Sequence, residues 1–291
     1  MTALATDAPL PVRGYLLHLT HYDPRWCANK AHEEPFDLAV GRAVVDAVAA
    51  AGLNLLLIDP KDAVAYASHP ELRRPYTQPM DVLAAVADHA RARGLEVAIK
   101  LNFSQSGTHQ HNHWFAPHHR LFDNAEYFER AGRIMDELIA AARPPRFFHL
   151  GMDEDHDRSV RQYLAAVRAL HGLVKARGLQ PLVWNDSACQ WPAAEVHQEK
   201  SLAAELAAPG DLIHVLWDYA KDVAPANFAR LRARQLRCWG APGGPEGART
   251  MAAVLRATGG EGMLLTRWAP CIPANRDALV AHLREVGPLC R

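Results

Sequence analysis

Ala50-Ala51-Gly52-Leu53-Asn54, Ala92-Arg93-Gly94-Leu95-Glu96 and Ala176-Arg177-Gly178-Leu179-Gln180 are three versions of one phrase. In each, an alanine-rich helical pattern stops at a glycine and an apolar stretch begins at the following leucine. Glycine just past a helix end takes the left-handed stop without a Cβ penalty. Upstream of Gly52, Leu38, Val44, Val45 and Val48 share one face of a helix predicted over 37–51. Downstream, LNLLLI (53–58) is short, apolar and not alternating, as in a strand buried on both faces. The interval from Gly94 to Gly178 is twice that from Gly52 to Gly94, so one joint of the rhythm is missing between them. Arg143-Pro144-Pro145, just before the strand-like Phe147–Gly151, takes its place.

Extended outward, the same reading predicts eight strands, at 15–20, 53–59, 97–103, 147–151, 181–184, 212–217, 236–239 and 263–268. A helical pattern follows nearly every one, the last at 276–286. Ser159-x-x-Gln162 and Asp123-x-x-Glu126 resemble capping boxes. Eight strand–helix units without a glycine-rich nucleotide turn predict the α/β class and a (β/α)8 TIM barrel rather than a doubly wound sheet. The expected organisation is a single barrel domain over 1–291, with 1–12 a short N-terminal extension.

Composition narrows the function. Lys plus Arg (32) equals Asp plus Glu (32), and 49% of residues are hydrophobic, an ordinary globular balance. Without a basic excess, no nucleic-acid partner is expected. No apolar run reaches spanning length, so no membrane partner is expected either. The opening MTALATDAPLPVRG lacks a basic and an apolar signal region, and the chain is read as cytoplasmic. Cys27, Cys189, Cys238, Cys271 and Cys290 are odd in number and form no C-x-x-C, which fits reduced thiols without a disulfide framework or zinc knuckle.

In a (β/α)8 barrel, chemistry collects where the strands end at their C-terminal side. Those ends carry Thr20-His21-Tyr22-Asp23, Asp59, Asn102, Asp153-Glu154, Trp184-Asn185-Asp186, Trp217-Asp218-Tyr219, Trp239 and Arg267-Trp268. The last four strands all end in tryptophan. Indole faces beside carboxylates suit a sugar ring, which has apolar C–H faces and a rim of hydroxyls; the alternative is that the indoles fill the barrel. The sharpest motif is His149-Leu150-Gly151-Met152-Asp153-Glu154. Two adjacent carboxylates past a buried strand should push one pKa up, giving a protonated acid beside an ionised stabiliser. A solvated acidic loop, DEDHD at 153–157, is the plainer reading.

H-x-G-x-D-E at the end of the fourth strand resembles the signature of glycoside hydrolase family 20, the β-N-acetylhexosaminidases. Val12-Arg13-Gly14, GLNLLLI (52–58), Asp62 with Tyr66 through Ser68-His69-Pro70-Glu71-Leu72, ARARGLEV (90–97), Trp184-Asn185-Asp186 and Gly262–Trp268 also fit. The resemblance implies a retaining exo-glycosidase releasing a terminal 2-acetamido sugar by substrate-assisted catalysis, without metal or organic cofactor. It implies Glu154 as general acid/base and Asp153 as the residue orienting the substrate's acetamido group. It implies Arg13, Trp184, Trp217, Trp239 and Trp268 as sugar contacts and Tyr219 as a donor to the acetamido carbonyl. His149, Asp186 and Asn102 complete the expected substrate-binding set. The implied partner is a small carbohydrate or glycoconjugate, and a homodimer would cover surface where the family's extra α/β domain, for which this chain has no room, would sit. Two positions depart from the pattern: Trp217-Asp218-Tyr219 only loosely replaces a Tyr-x-Asp pair, and Pro270 stands where the family often has a glutamate.

The stretch after the third strand holds His109, His111, His113, His118 and His119. It reads as a polar lid. With Asp153, Glu154 or Asp155 it could instead form a metal site, so a metal-assisted hydrolase is the alternative enzyme, and a catalytically weak carbohydrate-binding barrel is the non-enzymatic one.

Overall fold

The computed structural model describes residues 8–21, 30–107, 109–189 and 195–290. Eight parallel strands close into a barrel in chain order: β1 Val12–His18, β2 Leu55–Asp59, β3 Glu96–Lys100, β4 Phe147–His149, β5 Gln180–Asn185, β6 Ile213–Asp218, β7 Arg237–Pro242 and β8 Gly262–Pro270. Helices α1 Leu38–Ala50, α2 Asp81–Ala92, α3 Ala125–Ala142, α4 Val160–Ala176, α5 Glu195–Ala207, α6 Pro225–Ala233, α7 Pro245–Thr258 and α8 Arg276–Val286 form the outer ring. This is the (β/α)8 barrel that the sequence rhythm predicts. No described helix is long and apolar enough to cross a membrane.

The joints behave as their residues require. Gly52, Gly94 and Gly178 all have φ between 73 and 79°. At the joint that lacks glycine, Arg143 adopts the left-handed conformation itself (φ 50°, ψ 54°) and its N–H bonds to Ile139 O. The irregular phrase at 143–145 is therefore a genuine fourth joint. Ser159 and Gln162 make a complete capping box on α4. The second predicted box is displaced by one residue: Asn124 caps α3 by accepting from Tyr127 N, while Asp123 takes the guanidinium of Arg158.

β1 begins at Val12, earlier than predicted, because it pairs with the start of β8 through Val12 and Gly262. That register places Arg13 at the N-terminal rim. Its Nε donates to Gly52 O at 3.1 Å and its Nη1 to Leu10 O at 2.6 Å. Arg13 thus ties the floor of the barrel together, at the end away from the strand-end loops, and its expected sugar contact is not made there.

The barrel interior is filled by side chains including Leu16, Leu57, Phe147, Leu182, Val215, Trp239 and Leu264. Trp239 pairs in register with Gly262, the first residue of β8, and meets Phe147, the first of β4, edge-to-face at 5.0 Å. It fills the lower half of the barrel, so its expected place in a sugar pocket is also corrected. Cys189, Cys238, Cys271 and Cys290 are buried free thiols, and Cys27 lies outside the described residues. Trp239→Phe should lower stability by about 1–3 kcal/mol through lost packing, read as an earlier urea midpoint at unchanged m-value.

Candidate active site

The turn after β4 aims the two carboxylates. Gly151, Met152 and Glu154 have φ of 70, 73 and 48°, so the chain coils back on itself instead of leaving the strand end extended. Glycine is required at the first of these positions. A Cβ on Gly151 would lie 2.5 Å from Asn102 Cα, in a backbone conformation that already disfavours one. Asn102, just past β3, then organises the turn. Its Oδ1 accepts from Ser104 N (3.0 Å) and Met152 N (3.1 Å), and its Nδ2 donates to Asp153 Oδ1 at 2.6 Å. Asn102 is fully buried, so it orients Asp153 and does not itself face the mouth.

Glu154 is held from behind and in front. Behind it, Asp186 at the end of β5 accepts Glu154 N at 2.8 Å and Trp217 Nε1 at 2.7 Å. In front, His111 Nε2 meets Glu154 Oε2 at 2.5 Å, and His109 Nδ1 lies 3.4 Å from the same oxygen. Burial favours the neutral acid at Glu154, but the His111 hydrogen bond and the fields of His111, His109 and His197 outweigh it and hold the carboxyl below its ordinary range. Behind it, Asp186 is pushed up, first by burial and then by the charge of Asp153, and burial also raises Asp218 at the end of β6. The expectation that the adjacent pair would hold a raised carboxyl is not met: the histidine loop folds over Glu154 and lowers it, and a raised carboxyl sits instead at Asp186 behind the pair. Asp186 is 1% exposed, which makes it a support for Glu154 and Trp217.

The aromatic side chains divide by height. Trp217 Nε1 is fixed by Asp186, and its ring lies 5.2 Å from Tyr219. Trp268 Nε1 donates to Tyr219 OH at 2.7 Å, and Tyr219 is 41% exposed at the mouth. Trp184 is deeper, 6.1 Å from Trp268 and 4.5 Å from His149. His149 is fully buried and its Nδ1 accepts Gly151 N at 3.0 Å, so it braces the turn from beneath and is not a surface contact. The fold therefore brings Asp153, Glu154, Asp186, Asn102, Trp184, Trp217, Tyr219 and Trp268 together, and leaves Arg13 and Trp239 at the opposite end.

Below this mouth lies an ion cluster that strand-end logic did not resolve. Asp59 accepts from Lys100 Nζ at 2.9 Å, with His18 Nδ1 at 3.3 Å and Lys61 Nζ at 3.8 Å, all essentially buried. Burial opposes the charge on Asp59, yet the two lysines hold its carboxyl far below the usual range. Asp59 is therefore committed internally, and His18, 5.2 Å from Trp268, links the cluster to the aromatic wall. The acidic run is not a solvated loop either: Asp155 is fully buried, bonded to Arg158 at 2.6 Å and to Gln105 N at 2.8 Å. His21 pairs with Glu33 at 3.1 Å, while Tyr22 and Asp23 lie outside the described residues.

No protein-family model and no curated protein sequence matches the chain. Its fold does match solved structures. Against the glycoside hydrolase family 20 β-N-acetylhexosaminidase of Streptomyces coelicolor the TM-score is 0.69 at 16% identity, covering 97% of this chain and 65% of that one. Against the Flavobacterium johnsoniae chitobiase the values are 0.67 and 15%, with 97% of this chain and 48% of the other covered. Dispersin B matches over 96% of this chain and 98% of its own, with a TM-score of 0.61 at 14% identity. The chain thus has the barrel fold of these hydrolases and spans about half to two thirds of the first two.

Gly151→Ala tests the construction of the turn. It should destabilise the protein by roughly 2–4 kcal/mol, combining left-handed strain with the clash on Asn102, and shift the thermal midpoint down accordingly.

Proposed function

We propose that this chain is a retaining exo-glycosidase that releases a terminal 2-acetamido sugar by substrate-assisted catalysis. One observation carries the reading: the β4 turn presents Asp153 on Asn102 and Glu154 on His111, side by side beside Trp217 and Trp268. The likeness in fold to β-N-acetylhexosaminidases supports it, among them a Streptomyces plicatus enzyme solved in complex with its product GlcNAc.

The assigned chemistry follows from position. Glu154 gives a proton to the leaving oxygen as the acetamido oxygen of the sugar attacks the anomeric carbon, and the glycosidic bond breaks. His111 hydrogen-bonds the same carboxyl oxygen and orients it, and Glu154 recovers its proton from the water of the second step. Asp153 stays anionic beside the acetamido nitrogen as positive charge develops there. Glu154 as base then activates a water that opens the oxazolinium ring, so configuration is retained. Trp217 and Trp268 would wall the ring, Trp184 would underlie it, and Tyr219 would donate to the acetamido carbonyl. Tyr219 suits that task because Trp268 Nε1 donates to its oxygen and fixes the hydroxyl at the mouth.

Aryl β-N-acetylglucosaminide and β-N-acetylgalactosaminide should be cleaved, and the matching glucoside and galactoside should not. Glu154→Gln should lower kcat at least about a hundredfold. Asp153→Asn should lower it by a similar order, because the developing charge loses its counter-charge. Equal cleavage of the plain glycosides would refute the substrate-assisted step. Sugar binding without turnover in the wild type would identify a carbohydrate-binding barrel instead.

A further inference from the structure

Glu154 is enclosed by more imidazole than a proton donor needs. His109 and His111 sit on either side of Gln110, whose φ of 55° bends the loop so that both rings reach one carboxylate oxygen. The rings stack at 5.2 Å, and His156 stacks on the outer face of His109 at 5.3 Å. Ser106 fixes this stack: its Oγ is 3.0 Å from His156 Nδ1 and accepts His109 N at 3.0 Å. The loop is therefore built to hold two imidazole nitrogens at a fixed place beside Glu154.

We propose that His109 Nδ1, His111 Nε2 and Glu154 Oε2 bind a first-row divalent cation of the zinc type, and that this ion and the catalytic proton compete for Glu154. The three ligand atoms all lie within 4.8 Å of one another. A tetrahedral ion with bonds of about 2.0–2.1 Å holds its ligand atoms roughly 3.3 Å apart. The His109–Glu154 separation of 3.4 Å already meets that spacing. The His111–Glu154 separation of 2.5 Å is that of a shared proton, and widens when an ion takes the proton's place. Asp153 Oδ2, 3.8 Å from His111 Nε2, is the next oxygen in reach. Imidazole with carboxylate selects zinc, copper or nickel over magnesium and calcium. His109 is 27% exposed in its side chain, so the ion can arrive from the mouth.

A second His–Glu–His group shows what such a site must avoid. His69 Nδ1 and His118 Nε2 flank Glu71 Oε1 at 3.0 and 2.9 Å. There Arg130 Nη1 points at His118 Nδ1 from 3.2 Å. A ligating imidazole uses its other nitrogen as a donor, and a guanidinium cannot accept. That group is a hydrogen-bonded strut between two loops, and it serves as an internal control.

The binding claim stands on ligand geometry; only its effect on turnover rests on the glycosidase reading. The test is titration of the chelator-stripped full chain with Co²⁺, followed by its visible d–d absorption and displacement by Zn²⁺. We expect saturable binding that His109→Ala and Glu154→Gln each weaken by more than about tenfold, while His69→Gln leaves it unchanged. Far-UV circular dichroism of each variant checks that it is folded. Absence of the band, or a band unaffected by His109→Ala, or one lost in His69→Gln, would overturn the site. If aryl glycosides are cleaved, Zn²⁺ should inhibit the wild type at lower concentration than it inhibits His109→Ala, and equal inhibition would overturn the competition. If no glycoside is cleaved, the glycosidase reading fails and the absorption titration still decides the metal site.

Discussion

The contact between Gly151 and Asn102 is the constraint on which the site depends. It allows the chain past β4 to touch the end of β3 where any other residue would be forced away. From that touch follow the hydrogen bond that fixes Asp153, the bend that brings Glu154 under the histidine loop, and the burial of His149 as a brace. The two strands meet through a few residues, because β4 itself is only Phe147–His149. Backbone bonds carry on past it, from Phe103 N to Leu150 O at 3.2 Å and from Trp184 N to Gly151 O at 2.9 Å, and the side-chain amide of Asn102 takes over from there.

Charge is arranged around that turn in two ways. Several buried carboxylates are matched with cations: Asp59 with Lys100 and Lys61, Asp155 with Arg158 and Lys200, and Glu205 with Arg230 and Arg234. Paired in this way, they brace the barrel without leaving a buried charge exposed to a low dielectric. At the mouth the treatment differs. Asp186 is held by neutral donors, Trp217 Nε1 and Glu154 N, and burial followed by the charge of Asp153 raises its carboxyl above the usual range. Glu154 faces the imidazoles of His109 and His111, groups that serve as hydrogen-bond partners and as metal ligands. The mouth is therefore the place where protons, and by the same chemistry a soft divalent ion, can be exchanged.

Much of this was legible in the chain. Glycine stops at 52, 94 and 178 gave the rhythm, and even the aberrant Arg143 joint was marked by its position. The strand-end rule picked out Asn102, Asp153, Glu154, Asp186, Trp217, Tyr219 and Trp268, which the fold assembles. It failed at Trp239, which lies low in a strand that continues to Pro242, and the resemblance failed at Arg13, which β1, starting at Val12, sends to the floor. Asp59 was marked as a strand end, but its partners Lys61 and Lys100, and His197, left no signal, because lone polar residues in a helix or an apolar strand carry no spacing.

The sequence by itself determined the fold class, since a helix stop and a strand start are local events governed by glycine conformation and apolar run length. It also determined that two carboxylates follow the fourth strand. Only the tertiary structure decided that Glu154 is lowered by the histidines and that a third carboxyl, Asp186, is raised. Those outcomes depend on desolvation and on charges brought together from β3, β5 and the histidine loop, distances that no local pattern encodes.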